Sequence, residues 1–336
     1  MTLATRSERP TFSRDVLRLD AYHEIDRITQ FIRQSVRKEL RRQGVVLGLS
    51  GGIDSSVAAA LCVRALGPDR VLGLFMPERD CSEDSLALGQ LLADHLGVEA
   101  ITENITPLLE GAGCYRRRDE AIRSVVPEYG RGWKAKLVLP NIFQAGRFRL
   151  FSLVVQSPAG EQRKVRLPLA AYQTIVAATN FKQRCRKMME YYHADRLNYV
   201  VVGTPNRLEY DQGFFVKNGD GAADLKPIAH LYKTQVYQLA EALGIPEVIC
   251  MRPPTTDTYP LEQSQEEFFF AVPLQTLDLC LYGKNHDIPP ADVAGATGLT
   301  PEQVERVYAD IEAKRRATRY LHRAPMLVEP VLSPAE

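Results

Sequence analysis

The chain has 336 residues, of which 45% are hydrophobic and 25% are charged, and this globular composition excludes wholesale disorder. The 42 Lys and Arg residues against 41 Asp and Glu residues leave a net charge of +1. That balance excludes the strong bulk positive charge of a protein that coats nucleic acid.

Cysteine spacing and apolar runs predict the cellular setting. The six cysteines are widely spaced and form no C-x-x-C pair, which argues against a zinc ribbon or a disulfide framework. The first residues have no apolar core, and no stretch approaches the roughly 18 apolar residues of a membrane span. We therefore expect a cytoplasmic protein with reduced thiols, without a signal peptide and without a membrane span.

The N-terminal part predicts an arm followed by a helix. Residues 1–20 are expected to be a flexible arm. From Ile25 to Leu40, apolar residues recur at helical spacing against a face rich in Lys and Arg, which predicts an amphipathic helix within 21–43. Its apolar stripe is a candidate dimer contact.

A strand–helix alternation begins at residue 45. Short apolar strands are predicted at 45–49, 71–75 and 98–105, with helices at 57–66 and from Ser82 onward. Strands that alternate with helices predict a Rossmann-like parallel sheet covered by helices on both faces. We expect five or more strands in a single α/β domain over 21–336.

Residues 111–168 interrupt this alternation and predict an inserted β-rich lid. It contains a hairpin formed by 148–156 and 162–167. A helix over 170–194, a strand over 199–203 and a helix over 231–243 follow, and the tail over 289–325 is predicted to be helical.

Part of this tail, 290–308, has a helix-turn-helix pattern. The second helix begins with Glu302 and Glu305, which would repel phosphates. Packing helices are therefore favoured over nucleic-acid recognition, and a nucleotide-binding regulator is kept as a distant alternative.

A glycine-rich segment between the first strand and the next helix is the strongest chemical signal. Gly48 to Ser55 read G-L-S-G-G-I-D-S. Glycines allow close backbone approach, and free N–H groups at a helix start form an anion cradle. A carboxylate beside bound phosphates, here Asp54, indicates a hard cation such as Mg²⁺. The pattern is neither the Walker loop nor G-x-G-x-x-G.

This segment resembles the pyrophosphate loop of the N-type ATP pyrophosphatases, which have the adenine nucleotide α-hydrolase fold. Residues 202–209 and 213–236 resemble the NAD synthetase family, whose F-x-K-x-G-D-G-x-x-D motif is matched at 215–224. The blocks 180–186 and 254–257 resemble two further family motifs. The resemblance implies an α/β fold, ATP as a substrate and Mg²⁺ as a metal.

The resemblance also implies roles for individual residues. The implied catalytic residues are Asp54, Glu209 and Lys233, and Asp54 and Glu209 would also bind Mg²⁺. The implied acid-substrate contacts are Arg184, Lys217, Asp224 and Lys314. The implied ATP contacts are Gly48, Leu49, Ser50, Gly51, Gly52, Ile53, Asp54, Ser55, Thr204, Lys233 and Thr255.

The implied activity is ATP-dependent amide synthesis. The carboxylate of nicotinic acid adenine dinucleotide would be adenylated, and ammonia would then give NAD, AMP and pyrophosphate. Family resemblance further implies a homodimer. The chain shows no Cys/His/Glu glutaminase arrangement, so nitrogen would come from free ammonia or from a separate glutaminase partner.

One departure leaves the acid substrate open. Ala313 stands where the family has a His before Lys314, and His322 lies nine residues further on. A paralogous amide ligase for a different carboxylic acid is therefore an alternative.

Overall fold

A four-stranded parallel sheet forms the centre of the molecule. The computed structural model describes residues 12–139, 142–143, 151–255, 258–261, 263–270 and 272–331. Its strands are β1 (Val45–Gly48), β2 (Val71–Phe75), β3 (Glu99–Thr102) and β7 (Val200–Val201). The sheet order is β3-β2-β1-β7, and every neighbouring pair is parallel.

Twelve α-helices occur among the described residues. They are α1 (Ala21–Gln34), α2 (Ile53–Leu66), α3 (Glu83–Leu96), α4 (Thr106–Gly111), α5 (Cys114–Arg123), α6 (Leu169–Leu197), α7 (Arg207–Gln212), α8 (Lys233–Ala242), α9 (Glu247–Cys250), α10 (Leu274–Asn285), α11 (Pro290–Thr297) and α12 (Pro301–Thr318). Within the described segments, none of them is long and apolar enough to cross a bilayer.

Alternation along the strands directs side chains to both faces of the sheet. Val45 and Leu47 in β1 pack into the large core with α1, α2 and α8, whereas Val46 packs on the opposite face against α6. Both faces are thus buried, which is why the strands are continuous apolar runs. The predicted α/β fold with helices on both faces is confirmed.

The sheet is narrower than expected. Four strands occur in the described part of the chain, not five or more, and β7 has only two residues. Beyond β7, Leu225 forms a single parallel bridge with Val202. The Gly-rich run before Leu225 turns the backbone repeatedly, so no regular fifth strand develops there.

The described part of the predicted N-terminal arm is packed on the body. Arg14–Leu17 form a 3₁₀ turn capped by Ser13, and Leu17 is buried in the C-terminal apolar cluster. The remainder of the arm, 1–11, lies outside the described residues.

The apolar stripe from Ile25 to Leu40 does not form a free surface. Ile25, Ile32 and Val36 are fully buried in the main core, where α1 packs on α2 and α8. These residues are covered by the chain itself and are not available to a dimer contact, whereas Leu40 at the end of the stripe is exposed. After Gln34 the helix continues as a π-turn, Ser35–Glu39.

A separate antiparallel sheet lies within the region predicted to be inserted. Its strands are β4 (Lys134–Val138), β5 (Ser152–Gln156) and β6 (Gln162–Arg166). β5 and β6 form the predicted hairpin, and β4 pairs along the other edge of β5. Residues 148–150 of the predicted hairpin lie outside the described residues.

The C-terminal helices pack around one apolar cluster. Val293 of α11 and Val304, Val307 and Ile311 of α12 are buried there together with α10. Val293, Val304 and Val307 lie within 290–308, the stretch with the helix-turn-helix pattern. Their burial supports the packing role that the sequence favoured.

Candidate active site

The site lies where the strand order changes direction. β1 stands between β2 and β7, so the loops that follow β1 and β7 diverge from adjacent carboxyl ends of the sheet. Open α/β sheets bind ligands at such a switch point. A cavity of about 550 Å³ opens here, and both loops line it.

The loop after β1 brings backbone N–H groups to the cavity. Gly51 has φ of 71°, and a Cβ there would lie 2.8 Å from both Leu88 Cβ and the Ser85 carbonyl oxygen. Only glycine fits this turn without displacing helix α3. The turn lets α2 begin at Ile53, and the open N-terminus of a 14-residue helix faces the cavity. Such an N-terminus attracts phosphate.

Two serines complete this loop. Ser50 Oγ and Ser55 Oγ lie 3.1 Å apart, and Ser55 Oγ donates to the Gly52 carbonyl oxygen at 2.9 Å. Both side chains line the cavity. The hydroxyl pair and the helix N-terminus lie together at the place where the sequence predicted an anion cradle.

Asp54 stands in the first turn of α2 and has two partners from distant segments. Its Oδ2 pairs with Lys233 Nζ at 2.5 Å, and its Oδ1 accepts from Asn206 Nδ2 at 3.1 Å. The loop after β1, the loop after β7 and the start of α8 therefore meet at one carboxylate.

Glu209 is the second carboxylate of the site. It stands at the third position of α7, where it forms a capping box with Asn206, and Gln265 Nε2 donates to its Oε1 at 2.9 Å. Burial, with the nearby negative charge of Asp54, raises the pKa of Glu209 well above its usual value. A cation near both carboxylates would reverse this effect.

Lys233 supplies the positive charge among these groups. It is the first residue of α8 and is buried. Burial alone would lower its pKa, but attraction to Asp54 and Glu209 outweighs burial, and the pKa is raised. The ammonium group is therefore charged.

Asp278 of α10 anchors the start of α8. Its carboxylate accepts from the backbone N–H groups of Lys233 at 3.2 Å and Thr234 at 2.6 Å. Asp278 is fully buried, and burial raises its pKa to about 6. The anchored helix start holds Lys233 toward the cavity.

The donor set fits Mg²⁺. Asp54 and Glu209 offer hard oxygen ligands, and Mg²⁺ characteristically takes one or two carboxylates together with substrate phosphates and water. Gln265 Oε1 is buried beside Glu209 without a hydrogen-bond partner in the described structure, and metal-bound water would satisfy it. Over those same residues, no cluster of three or more His, Cys, Asp or Glu side chains suited to a metal occurs.

Four other predicted contact residues also line the cavity: Thr204, Thr255, Arg184 and Lys217. Arg184 Nε donates to the Lys217 carbonyl oxygen at 3.3 Å. Lys217 Nζ donates to the carbonyl oxygens of Tyr320 at 3.0 Å and Arg323 at 3.2 Å. The C-terminal segment thus reaches the cavity next to the predicted acid-substrate contacts.

Two predicted substrate contacts are not among the residues that line the cavity. Asp224 accepts from the Val201 N–H at 2.8 Å and from Tyr191 Oη at 3.2 Å, so it braces the end of β7. Lys314 pairs with Asp310 at 2.8 Å and lies over the Phe269 ring. Partners within the chain thus hold the Asp224 and Lys314 side chains at these places.

The structure places Ala313, which stands where the family has a His, away from the cavity. Ala313 is exposed on α12 and does not line the cavity. His322 packs edge-on against Tyr210 and Phe215. Asp257, the last residue of the predicted loop motif at 254–257, lies outside the described residues.

Sequence reasoning missed several residues that hold or line the site. Asn206, Gln265 and Asp278 form hydrogen bonds that hold the charged residues of the site. Phe151, the residue before β5, lines the cavity. The Asn-x-x-Glu spacing of the capping box was a readable signal for Asn206. Gln265 and Asp278 have no local signal, because Gln265 lies 56 residues from Glu209 and Asp278 lies 44 residues from Thr234.

Comparison with known proteins gives a consistent result. A family model described as NAD synthase matches residues 24–123 and 161–320. An NH(3)-dependent NAD(+) synthetase of Mesorhizobium japonicum is 62% identical over 312 residues, which cover 93% of this chain and 98% of that protein. One of Rhizobium meliloti is 58% identical over 331 residues, covering 98% and 99%.

Solved structures show the same fold. The NMN synthetase of Francisella tularensis has a TM-score of 0.63 at 21% identity, covering 92% of this chain and 99% of that one. The NH3-dependent NAD synthetase of Campylobacter jejuni has a TM-score of 0.60 at 22% identity, covering 93% and 100%.

Proposed function

The chain belongs to the NAD synthase family and carries out the ATP- and ammonia-dependent amidation of nicotinic acid adenine dinucleotide to NAD, and we propose that Asp54, Glu209 and Lys233 are its catalytic groups. The observation that supports these roles is their convergence. Two carboxylates and one buried ammonium meet beside the anion cradle of the β1–α2 loop.

We propose that Mg²⁺ binds Asp54 and Glu209 when ATP is present. The ion would supply charge neutralisation for the phosphates and the leaving pyrophosphate. Lys233, which is itself buried, would add a fixed positive charge at the same place. The loop N–H groups and the Ser50 and Ser55 hydroxyls would hold the phosphate oxygens.

The reaction then needs no covalent protein nucleophile. A carboxylate oxygen of the acid substrate attacks the α-phosphorus of ATP, the bond to the β-phosphate oxygen breaks, and pyrophosphate leaves. Ammonia next attacks the acyl carbon of the acyl-adenylate, AMP departs and one proton is released. Arg184 and Lys217 are proposed to hold the acid substrate, because both line the cavity.

Isotope transfer tests this route directly. With substrate labelled by ¹⁸O in its carboxylate, we expect one ¹⁸O atom in the phosphate of AMP, because the attacking oxygen stays on the α-phosphorus. Mass spectrometry of AMP and NAD checks it. Unlabelled AMP, or ADP and orthophosphate as the acid-dependent products, would rule out adenylation.

We also propose that the central part of the predicted insertion 111–168 is added to the family fold and walls the cavity. The family model leaves 124–160 unmatched, and Phe151 from this part lines the cavity. Its ring stacks on Tyr172 at 4.6 Å between centroids. Tyr172 precedes Glu190 by 18 residues on α6, about 27 Å along a straight helix, and Glu190 lies beside Gly48. This end of the cavity suits a ring of the extended dinucleotide.

Replacing Phe151 by Leu should therefore weaken binding of the acid dinucleotide. Loss of one ring–base stack predicts a KM about tenfold higher for that substrate, with the KM for ATP unchanged. Steady-state kinetics with each substrate varied in turn provides the check. Trp133→Leu is the matched control, because Trp133 belongs to the same region but packs on Tyr129 and is not among the residues that line the cavity. Equal KM changes for both substrates would refute the assignment.

The oligomeric state, the cellular location and a protein partner stay proposals. We propose a homodimer on the family resemblance, through a surface other than the buried residues Ile25, Ile32 and Val36. The mass of the protein in solution tests this proposal. A cytoplasmic location is likewise proposed, and all six cysteines are free thiols. A separate glutaminase partner remains a prediction.

A further inference from the structure

We propose that Asn206 is a positioning residue that fixes the two carboxylates, Asp54 and Glu209, in the relative orientation that binds the metal. This inference rests on the proposed function, since it assumes that these carboxylates hold Mg²⁺. None of the site roles inferred from sequence included Asn206.

The side chain of Asn206 joins both carboxylate-bearing helices. Its Nδ2 donates to Asp54 Oδ1 at 3.1 Å, and its Oδ1 accepts from the Glu209 N–H at 3.2 Å. The backbone N–H of Asn206 donates to Glu209 Oε2 at 3.2 Å. One residue therefore contacts the first turn of α2, the first turn of α7 and both carboxylates.

The chemistry of these contacts requires an amide. The Glu209 N–H is a donor, so it selects the oxygen of the side chain, and the nitrogen must then face Asp54. A flipped amide would place oxygen against a carboxylate and N–H₂ against N–H. Asn206 is only 1% exposed, so its amide makes both contacts directly and away from bulk water.

Each carboxylate then has a restricted orientation. Asp54 is held by Asn206 on Oδ1 and by Lys233 on Oδ2, and Glu209 is held by Asn206 and Gln265. Without the amide donor, Asp54 keeps only Lys233 as a partner and can rotate toward it. Prepositioned ligands lower the cost of ordering the site when the metal arrives.

The decisive variant is Asn206→Ser. Serine caps a helix about as well as asparagine, so α7 is preserved, but its short hydroxyl cannot bridge to Asp54 as the amide does. We expect Mn²⁺ to bind at least tenfold more weakly in the presence of the α,β-methylene analogue of ATP. Mn²⁺ electron paramagnetic resonance measures this binding without turnover. The Mg²⁺ concentration for half-maximal rate should rise by a similar factor.

A cap-loss control separates positioning from general stability. Thr300 forms the same kind of capping box at the start of α12 and does not line the cavity. Thr300→Ala should lower the Tm without changing Mn²⁺ affinity. If Asn206→Ser does not fold, Asn206→Thr provides a second cap-competent variant for the same measurements.

Asp54→Asn, measured in parallel, distinguishes the two possible failures. If Asp54→Asn abolishes Mn²⁺ binding while both cap-competent Asn206 variants bind Mn²⁺ normally, the positioning role is overturned and the proposed function stands. If Asp54→Asn itself binds Mn²⁺ and turns over normally, the metal assignment fails, and the inference about Asn206 fails with it.

Discussion

Replacing Asp54 by Asn, or Glu209 by Gln, is expected to lower kcat about 1,000-fold, which corresponds to about 4 kcal/mol of lost transition-state stabilisation. Each change keeps the size of the side chain and removes one negative ligand from the proposed metal site. The charge on the leaving pyrophosphate would then be poorly neutralised. NAD formation at saturating ATP, acid and ammonium, over a range of Mg²⁺ concentrations, is the measurement.

The matched control for this pair is Asp211→Asn. Asp211 lies on α7 close to Glu209 but pairs with Arg315 at 2.6 Å and does not line the cavity. We expect its kcat to stay within about threefold of the wild type, in line with the small effects of substitutions away from the reacting atoms. Near-normal rates for both Asp54→Asn and Glu209→Gln at saturating Mg²⁺ would remove the catalytic assignment.

Lys233→Met is expected to lower kcat about 100-fold and also to destabilise the protein when no metal is present. The catalytic loss follows from removing a fixed positive charge from a preorganised site. The stability loss follows because Asp54 and Glu209 would lose their buried counter-charge, and breaking such a pair costs about 3 kcal/mol. Rate measurements and chemical denaturation without Mg²⁺ test both effects.

A double variant distinguishes the electrostatic cause from a packing defect. Asp54→Asn combined with Lys233→Met removes both charges of the contacting pair and leaves only Glu209 without its counter-charge, so part of the lost stability should be recovered while activity stays lost. The coupling free energy from this cycle should be clearly non-zero, because the two groups are in direct contact. Additive stability losses would show that Lys233→Met acts through packing alone.

Several local features could be predicted from the sequence because nearby residues determine them. The β1–α2 turn needs glycine at Gly51 and ends in a helix start with Asp54 in its first turn, all within a few residues. The β5–β6 hairpin follows from two β-rich runs around a short turn. The family motifs supplied Glu209 and Lys233, which no local pattern would have identified.

Other features could not be predicted, because they depend on contacts between distant segments. The Ile25–Leu40 stripe would have the same sequence pattern whether it faced a partner or the chain's own core. Only the packing of α1 against α2 and α8 showed that Ile25, Ile32 and Val36 face the core. Asp224 and Lys314 match family positions, yet neither residue lines the cavity. Asp224 accepts a hydrogen bond from the Val201 N–H, and Lys314 pairs with Asp310. Periodicity indicates that a face is apolar, but it does not indicate which surface covers it.

The sequence by itself determined the α/β class and predicted the turn of glycines and serines with Asp54 in the first turn of the next helix, because these depend on residue type and on spacing along the chain. Glu209 and Lys233 were identified through the family motifs. Only the tertiary structure decided that Asn206 and Gln265 hold the two carboxylates, and that Phe151 joins the cavity wall. The physical reason is distance along the chain: Asn206 lies 152 residues from Asp54. Such hydrogen bonds exist only after the sheet has brought the ends of β1 and β7 side by side.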